Sequence, residues 1–426
     1  MRQATQRLAA VDEANLVLDH AGQVNVFLVA GLLVPGGLIG PDGTPDVATL
    51  RSALAKRIAE LPPLRKVPVA TGRRHRWDET SPDLEHHIRL VASVDGLAGL
   101  ERLCGELMGV PLRLDRPLWE ILVVPGASPG QIGVVLRIHH AVADGMAAVA
   151  IAQQLFDSAE PGLTSAWAPA VPQSRPGAES RPRRDLRRVL RRLGYALRRI
   201  RMVLAGREVG STVLLGEISP RRGVAFVDVD LAALEARVRP LGATVNDALL
   251  ASVASGYRAA LPAAGEQVPA RLPVSVPVAL QRRGTSGNQV GVMLVRLPLD
   301  VPAPDERLRL IAEQTRAEKV QAREQGTLEF MRGPVGARIM DRIGQRQHVV
   351  GGFVTNVPGP AGALRLAGAP VVAIWPVAVL AANVRLGVAA VSYAGRLSCG
   401  VHFDAANVPG AAFVRAMSEE LTRLSA

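Results

Sequence analysis

Two hydrophobic periods alternate along the chain. Residues 49–61 and 97–108 repeat apolar side chains at three- and four-residue spacing, which predicts amphipathic helices. Residues 122–124 and 132–138 are short continuous apolar runs that read as strands, and a helix is predicted over 145–157. The apolar stretch 24–33 contains Asn25 and runs into Pro35-Gly36-Gly37, so it reads as a strand and a turn. A second set begins at Val224, with strands at 224–229 and 293–297, helices at 246–260 and 305–322, and a strand-rich end over 371–403. Strands and helices mixed in both halves predict an α/β (α+β) chain of two domains.

Between the halves the pattern changes. Residues 158–182 are rich in Pro, Ser, Ala and Gly and read as a flexible connection. Leu186, Val189, Leu190, Leu193, Leu197, Ile200, Val203 and Leu204 then recur at helical spacing, with arginines such as Arg187, Arg191 and Arg198 opposite. The expected cationic amphipathic helix over 184–204 suits an anionic membrane or lipid-droplet surface. The alternative is a helix packed on the protein body with its arginines in water. The expected division is 1–158, a basic linker over 159–222, and 223–426.

Charge sharpens this picture. Positions 181–222 hold thirteen arginines and three acidic residues, so ten of the twelve net positive charges lie there. No groove-reading motif accompanies them, and aromatics make up only 3% of the chain, so no nucleic-acid partner is expected. The two cysteines, Cys104 and Cys399, stand far apart, which excludes a cysteine zinc cluster and a disulfide scaffold and suits a reducing compartment. No secretory signal is visible. Neither 24–33 nor 370–384, which is cut by Pro376 and Asn383, reaches the roughly 20 apolar residues of a spanning helix. A cytoplasmic protein, peripheral at the inner membrane face or on lipid droplets, is expected.

The densest chemistry lies in Arg137-Ile138-His139-His140-Ala141-Val142-Ala143-Asp144-Gly145. A strand delivers two histidines to its end, and adjacent strand residues face opposite ways, so one can face a cleft while the other is held in the body. An imidazole there suits a general base for an alcohol hydroxyl. Asp144 can orient the base or cap the next helix, and Gly145 permits close approach. His86-His87 lacks the Asp-Gly sequel and reads as structural. No spaced cluster of metal ligands accompanies the pair, so no metal is expected.

This HHxxxDG stretch resembles the wax ester synthase/acyl-CoA:diacylglycerol acyltransferase family, within the larger group of coenzyme A-dependent acyltransferases of the chloramphenicol acetyltransferase type. Further similarities run along nearly the whole chain: Pro117-Leu118-Trp119, Asn246-Asp247, Gly287-Asn288, Asn356-Val357-Pro358-Gly359-Pro360, Leu366-Ala367-Gly368 and Val391-Ser392-Tyr393. The resemblance implies two chloramphenicol acetyltransferase-like halves with the site at their junction. It implies acyl-CoA as co-substrate, no further cofactor, and a long-chain alcohol or diacylglycerol as acceptor. His140 is then the expected base, with His139, Asp144 and Gly145 shaping the loop. Trp119, Asn246, Asp247, Asn356, Pro358 and Gly359 are supporting candidates, and Asn246 is the candidate oxyanion donor. Each has a plainer structural reading: Trp119 as a core anchor, Asn246-Asp247 as a helix cap, and Asn356 to Pro360 as a rigid turn. A specialised alcohol acceptor, or a non-catalytic acyl-CoA- or lipid-binding protein, remains an alternative reading of the same residues.

Overall fold

The computed structural model of the chain describes residues 6–20, 22–72, 74–143, 145–158, 206–280, 289–325, 334–360 and 362–426. Asp144, Gly287-Asn288, the predicted basic helix over 184–204 and nearly all of the Pro/Ser-rich connection lie outside them.

The first half gives β1 (Gln6–Arg7), α1 (Ala10–Val17), β2 (Val26–Leu33), α2 (Val47–Glu60), β3 (Lys66–Thr71), β4 (Arg74–Glu79), α3 (Leu84–His87), β5 (Ile88–Leu90), α4 (Gly96–Met108), β6 (Trp119–Ser128), β7 (Gln131–His139), α5 (Gly145–Leu155) and β8 (Asp157–Ser158). The second gives β9 (Arg222–Asp230), α6 (Leu231–Val238), α7 (Val245–Ala263), β10 (Arg271–Leu280), β11 (Gln289–Pro298), α8 (Pro304–Gln325), α9 (Pro334–Gly344), β12 (Gly352–Val357), β13 (Leu364–Leu366), β14 (Ala369–Val377), β15 (Leu386–Tyr393), β16 (Arg396–Asp404) and α10 (Gly410–Ser425). The predicted α/β architecture is present. Helix α10 follows the strand-rich end, burying Phe413, Met417, Leu421 and Leu424 on one stripe.

Two large sheets organise these elements. One runs β5-β6-β7-β2-β14-β13-β8 and the other β11-β10-β12-β15-β16-β9. The hairpin β13–β14 therefore leaves the second half and completes the first sheet, with Trp375 of β14 in register with Ala30 of β2. Its turn uses Ala367 and Gly368, both at positive φ (44° and 83°), where glycine is the undemanding residue. Tyr393 of β15 ties the hairpin down: its hydroxyl donates to the Val371 carbonyl (2.8 Å) and accepts from the Leu364 amide (3.0 Å). The Leu-Ala-Gly and Val-Ser-Tyr stretches thus build one strand exchange.

The sheets meet where β14 crosses β16. A Cβ on Gly400 would overlap the Pro376 carbonyl, so only glycine allows this approach. Beside it the Phe226 and Trp375 rings stack at 4.6 Å, and the Trp375 indole N–H donates to Asp228 (2.8 Å). On the other side α4 lies on the edge strand β9, where Glu101 accepts the Phe226 amide (2.7 Å). The junction between the halves is thereby packed and hydrogen-bonded at fixed positions.

Candidate active site

Strand β7 is interior to its sheet, and residues 132–139 are buried without interruption. A continuous apolar run is what a strand covered on both faces requires. Its neighbours fix the register, with Ile138 opposite Trp119 on β6 and His139 opposite Val26 on β2. The chain then turns through Ala141–Ala143 into α5, which starts at Gly145 as expected and ends at Leu155, so the predicted helix is two residues shorter.

The two histidines part as strand geometry predicts. His139 is fully buried, and its Nδ1 accepts the Ala141 amide N–H (2.9 Å). That bond leaves Nε2 to carry the proton of the neutral ring. Nε2 lies 3.4 Å from the Asp19 carboxylate, within ionic contact but outside hydrogen-bond geometry. His140 is half-buried, with its ring edge-on to Phe27 at 5.5 Å between centroids.

The backbone of His140 is gripped from the N-terminal segment. Its amide donates to the Asn25 carbonyl (3.0 Å), and its carbonyl accepts from the Asn15 side chain (3.1 Å). Asn25 is braced in turn: its side chain donates to the Asn15 carbonyl (2.9 Å), and its amide to Asp19 (2.8 Å). Asn15, Asp19 and Asn25 carry no spacing motif. Asn25 enters the sequence pattern only as a polar interruption of an apolar run.

The supporting candidates divide. Trp119 is 1% exposed, donates its indole N–H to the Leu64 carbonyl (2.8 Å), and stacks on His87 at 4.5 Å. His87 in turn bonds the Trp119 carbonyl, and burial lowers its pKa. This Trp–His stack supports the strand beside β7, so His86-His87 is structural as its sequence implied. Asp247 is also buried and committed. One oxygen takes the Thr244 amide and hydroxyl (2.8 and 2.7 Å), closing a capping box at α7, and the other takes the Thr315 hydroxyl of α8 (2.6 Å). Replacing Asp247 by alanine is expected to cost about 1–3 kcal/mol in urea unfolding. The same variant should keep kcat per folded molecule. A large kcat loss at unchanged stability would instead place Asp247 in the chemistry.

Asn246, beside it in the first turn of α7, is half-buried and finds no hydrogen-bond partner among the described residues. Asn356 is similarly placed near the end of β12, in register with Ala390 on β15. The chain leaves through Pro358, which is exposed, and Gly359, where a Cβ would overlap the Ser392 carbonyl. The turn is therefore pressed onto β15. Neither cysteine can serve as a nucleophile here: Cys104 and Cys399 are buried, and burial pushes both thiols up.

Residues 8–249 match the family described as "Wax ester synthase/diacylglycerol acyltransferase catalytic domain", and residues 286–425 match its "WS/DGAT C-terminal domain". The Mycobacterium tuberculosis protein named "Probable diacylglycerol O-acyltransferase tgs1" is 29% identical over 394 residues, covering 84% of each chain. The solved wax ester synthase/diacylglycerol acyltransferase from Marinobacter aquaeolei VT8 superposes with a TM-score of 0.72 at 21% identity, covering 98% of both chains. A starter condensation domain of rhizomide synthetase, solved with C8-CoA, gives a TM-score of 0.55 at 17% identity over 99% of this chain and 94% of its own. At these identities both structures speak for the fold, a pair of chloramphenicol acetyltransferase-like halves.

Proposed function

Because this chain belongs to the wax ester synthase/diacylglycerol acyltransferase family, we propose that His140 is the general base of its acyl transfer. The enzyme is an acyl-CoA-dependent O-acyltransferase, and its acceptor is diacylglycerol or a long-chain alcohol. The observation that carries the assignment of the base is the contrast within the pair. His139 is sealed and committed to its own turn, whereas His140 is only partly buried, on a backbone held at both ends.

In this mechanism His140 takes the acceptor's hydroxyl proton as the oxygen attacks the thioester carbonyl. The new C–O bond forms, the tetrahedral oxyanion collapses, and the C–S bond breaks. The thiolate leaves readily, because a thiol ionises near roughly pH 8.5, and the imidazolium returns its proton to it. Asn246 is our candidate for the oxyanion, on the strength of a side-chain amide unengaged among the described residues beside a helix N-terminus. Gly145 starts the helix beyond the histidines, and Asp144, expected to support the loop before it, lies outside the described residues. Asn356, Pro358 and Gly359 form a rigid wall of the substrate passage, and Trp119 supports the site from the core.

The test is thiol release from palmitoyl-CoA with and without hexadecanol or dipalmitoylglycerol. Acceptor-dependent release with ester formation is expected. Silence with both acceptors from a folded protein would point to the specialised-acceptor or the non-catalytic binding reading.

The lipid substrate must be met at a surface, and we assign that contact to the basic segment 184–204. Among the described residues no helix is long and apolar enough to cross a membrane. Each arginine near an anionic surface contributes about 1 kcal/mol. Neutralising Arg187, Arg188, Arg191, Arg192, Arg198 and Arg199 is therefore expected to abolish binding to phosphatidylglycerol vesicles at moderate salt. Sedimentation with vesicles checks this, and unchanged binding would exclude the segment as the anchor.

A further inference from the structure

We infer that Asp19 is a positioning residue for the histidine pair, acting through His139 and through the backbone of His140. The inference rests on His140 as general base and adds the group that holds it in place.

Three observations converge on this carboxylate, whose side chain is 6% exposed. The first is the tautomer of His139. Its Nδ1 is occupied by the Ala141 amide, so a neutral ring must present its N–H at Nε2, and Asp19 Oδ2 stands 3.4 Å away. Among the described residues Nε2 has no hydrogen-bond partner although His139 is fully buried, and Asp19 is the carboxylate in ionic contact with it.

The second is the other oxygen. Oδ1 accepts the Asn25 amide (2.8 Å), and the Asn25 carbonyl accepts the His140 amide (3.0 Å). One carboxylate therefore faces the ring of His139 in ionic contact and, one residue removed, holds the backbone of His140. Asn15 closes the loop, receiving the Asn25 side chain and donating to the His140 carbonyl.

The third is the anchoring of the segment that carries Asp19. His20 and Gln23 exchange backbone hydrogen bonds (3.1 and 2.8 Å), forming a tight turn. From this turn His20 reaches Asp341 on α9 (3.4 Å), and the Gln23 side chain accepts the Ala382 amide (2.8 Å). The turn is thus pinned to the second half on one side and to the histidines on the other. The position of the base is set by both halves through Asp19, His20, Gln23 and Asn25.

The chemistry requires a carboxylate. Two donors, the His139 Nε2–H and the Asn25 N–H, address its two oxygens. An asparagine of the same shape offers one acceptor and one donor, so it must turn an NH2 against one of them. Asp19→Asn is expected to preserve packing and lower kcat about 10- to 100-fold, the scale of a small misplacement of a reacting group. KM for palmitoyl-CoA should stay within about twofold, because Asp19 is placed to act on the base rather than on the thioester.

The experiment compares wild type, Asp19→Asn and His140→Ala as full chains, reading kcat and KM per folded molecule. A kcat loss at constant KM in Asp19→Asn supports the inference. Wild-type kcat in Asp19→Asn beside an inactive His140→Ala overturns it, as does a change confined to KM. An active His140→Ala removes the general-base reading itself and is distinguishable on that ground. Nitrogen-15 NMR of histidine-labelled wild type gives a readout independent of any variant's folding. His139 should appear protonated at Nε2 and unprotonated at Nδ1, and the opposite tautomer overturns the inference.

Discussion

Replacing His140 by alanine is expected to lower kcat about 10²- to 10⁴-fold, the range that a positioned general base contributes. The fold should survive the change. Its backbone is held by Asn25 and Asn15, bonds that the substitution leaves in place, and its ring packs edge-on to Phe27. Thermal unfolding should stay near that of the wild type, and KM for acyl-CoA should change little. His139→Ala provides the contrast. It removes the buried acceptor of the Ala141 amide and opens a cavity at the end of β7, so stability and rate should fall together. If His140→Ala also unfolded the protein, the two histidines would share a structural role and the division between them would be wrong.

The division was legible because it rests on local geometry. A continuous apolar run before His139 predicts a covered strand, and strand alternation separates its last residue from the next. The capping box at Thr244 and Asp247 is equally local, and the structure spends the Asp247 carboxylate on it. What periodicity does not carry is the choice of partner. Residues 370–384 read as apolar, but nothing in that run tells β14 to pair with β2 across the molecule. Such a pairing is decided by the whole sheet and by the glycine at 400 that admits the crossing. The clamp on His140 is hidden for a similar reason. Asn15 and His140 are 125 positions apart, and a lone asparagine on a short helix has no pattern to announce it. Isolated polar residues gain meaning only from the fold that gathers them.

Arg137 is the second position where a large effect is expected, and here the effect is on stability. It lies two residues before His139, on the same face of β7, and is 2% exposed. Its guanidinium pairs with Glu120 and donates to the Leu107 carbonyl (2.7 Å) and the Val110 carbonyl, satisfying backbone acceptors at and just beyond the end of α4. Arg137→Leu leaves the buried Glu120 with only Arg89, which is partly in water, and takes the guanidinium from both carbonyls, of which Leu107 keeps the Val110 amide (3.2 Å). A loss of about 3–5 kcal/mol in urea unfolding at pH 7 is expected, the usual cost of breaking a buried pair from one side. Removing both charges, with Glu120→Leu added, should cost less than the single change, because no buried charge is then stranded. The pH dependence separates the ion pair from simple packing. Burial acts to raise the Glu120 carboxyl, but Arg137 and Arg89 outweigh it and hold the group below its ordinary 4.5. Its contribution is therefore present above 4.5 and lost as pH falls through the lowered folded value. In Arg137→Leu the burial that remains favours the neutral acid, so protonation relieves the stranded charge at higher pH. The stability gap between wild type and variant should narrow as pH falls from 7 toward 4. A gap that stays constant over that interval would assign the loss to packing around the arginine stem.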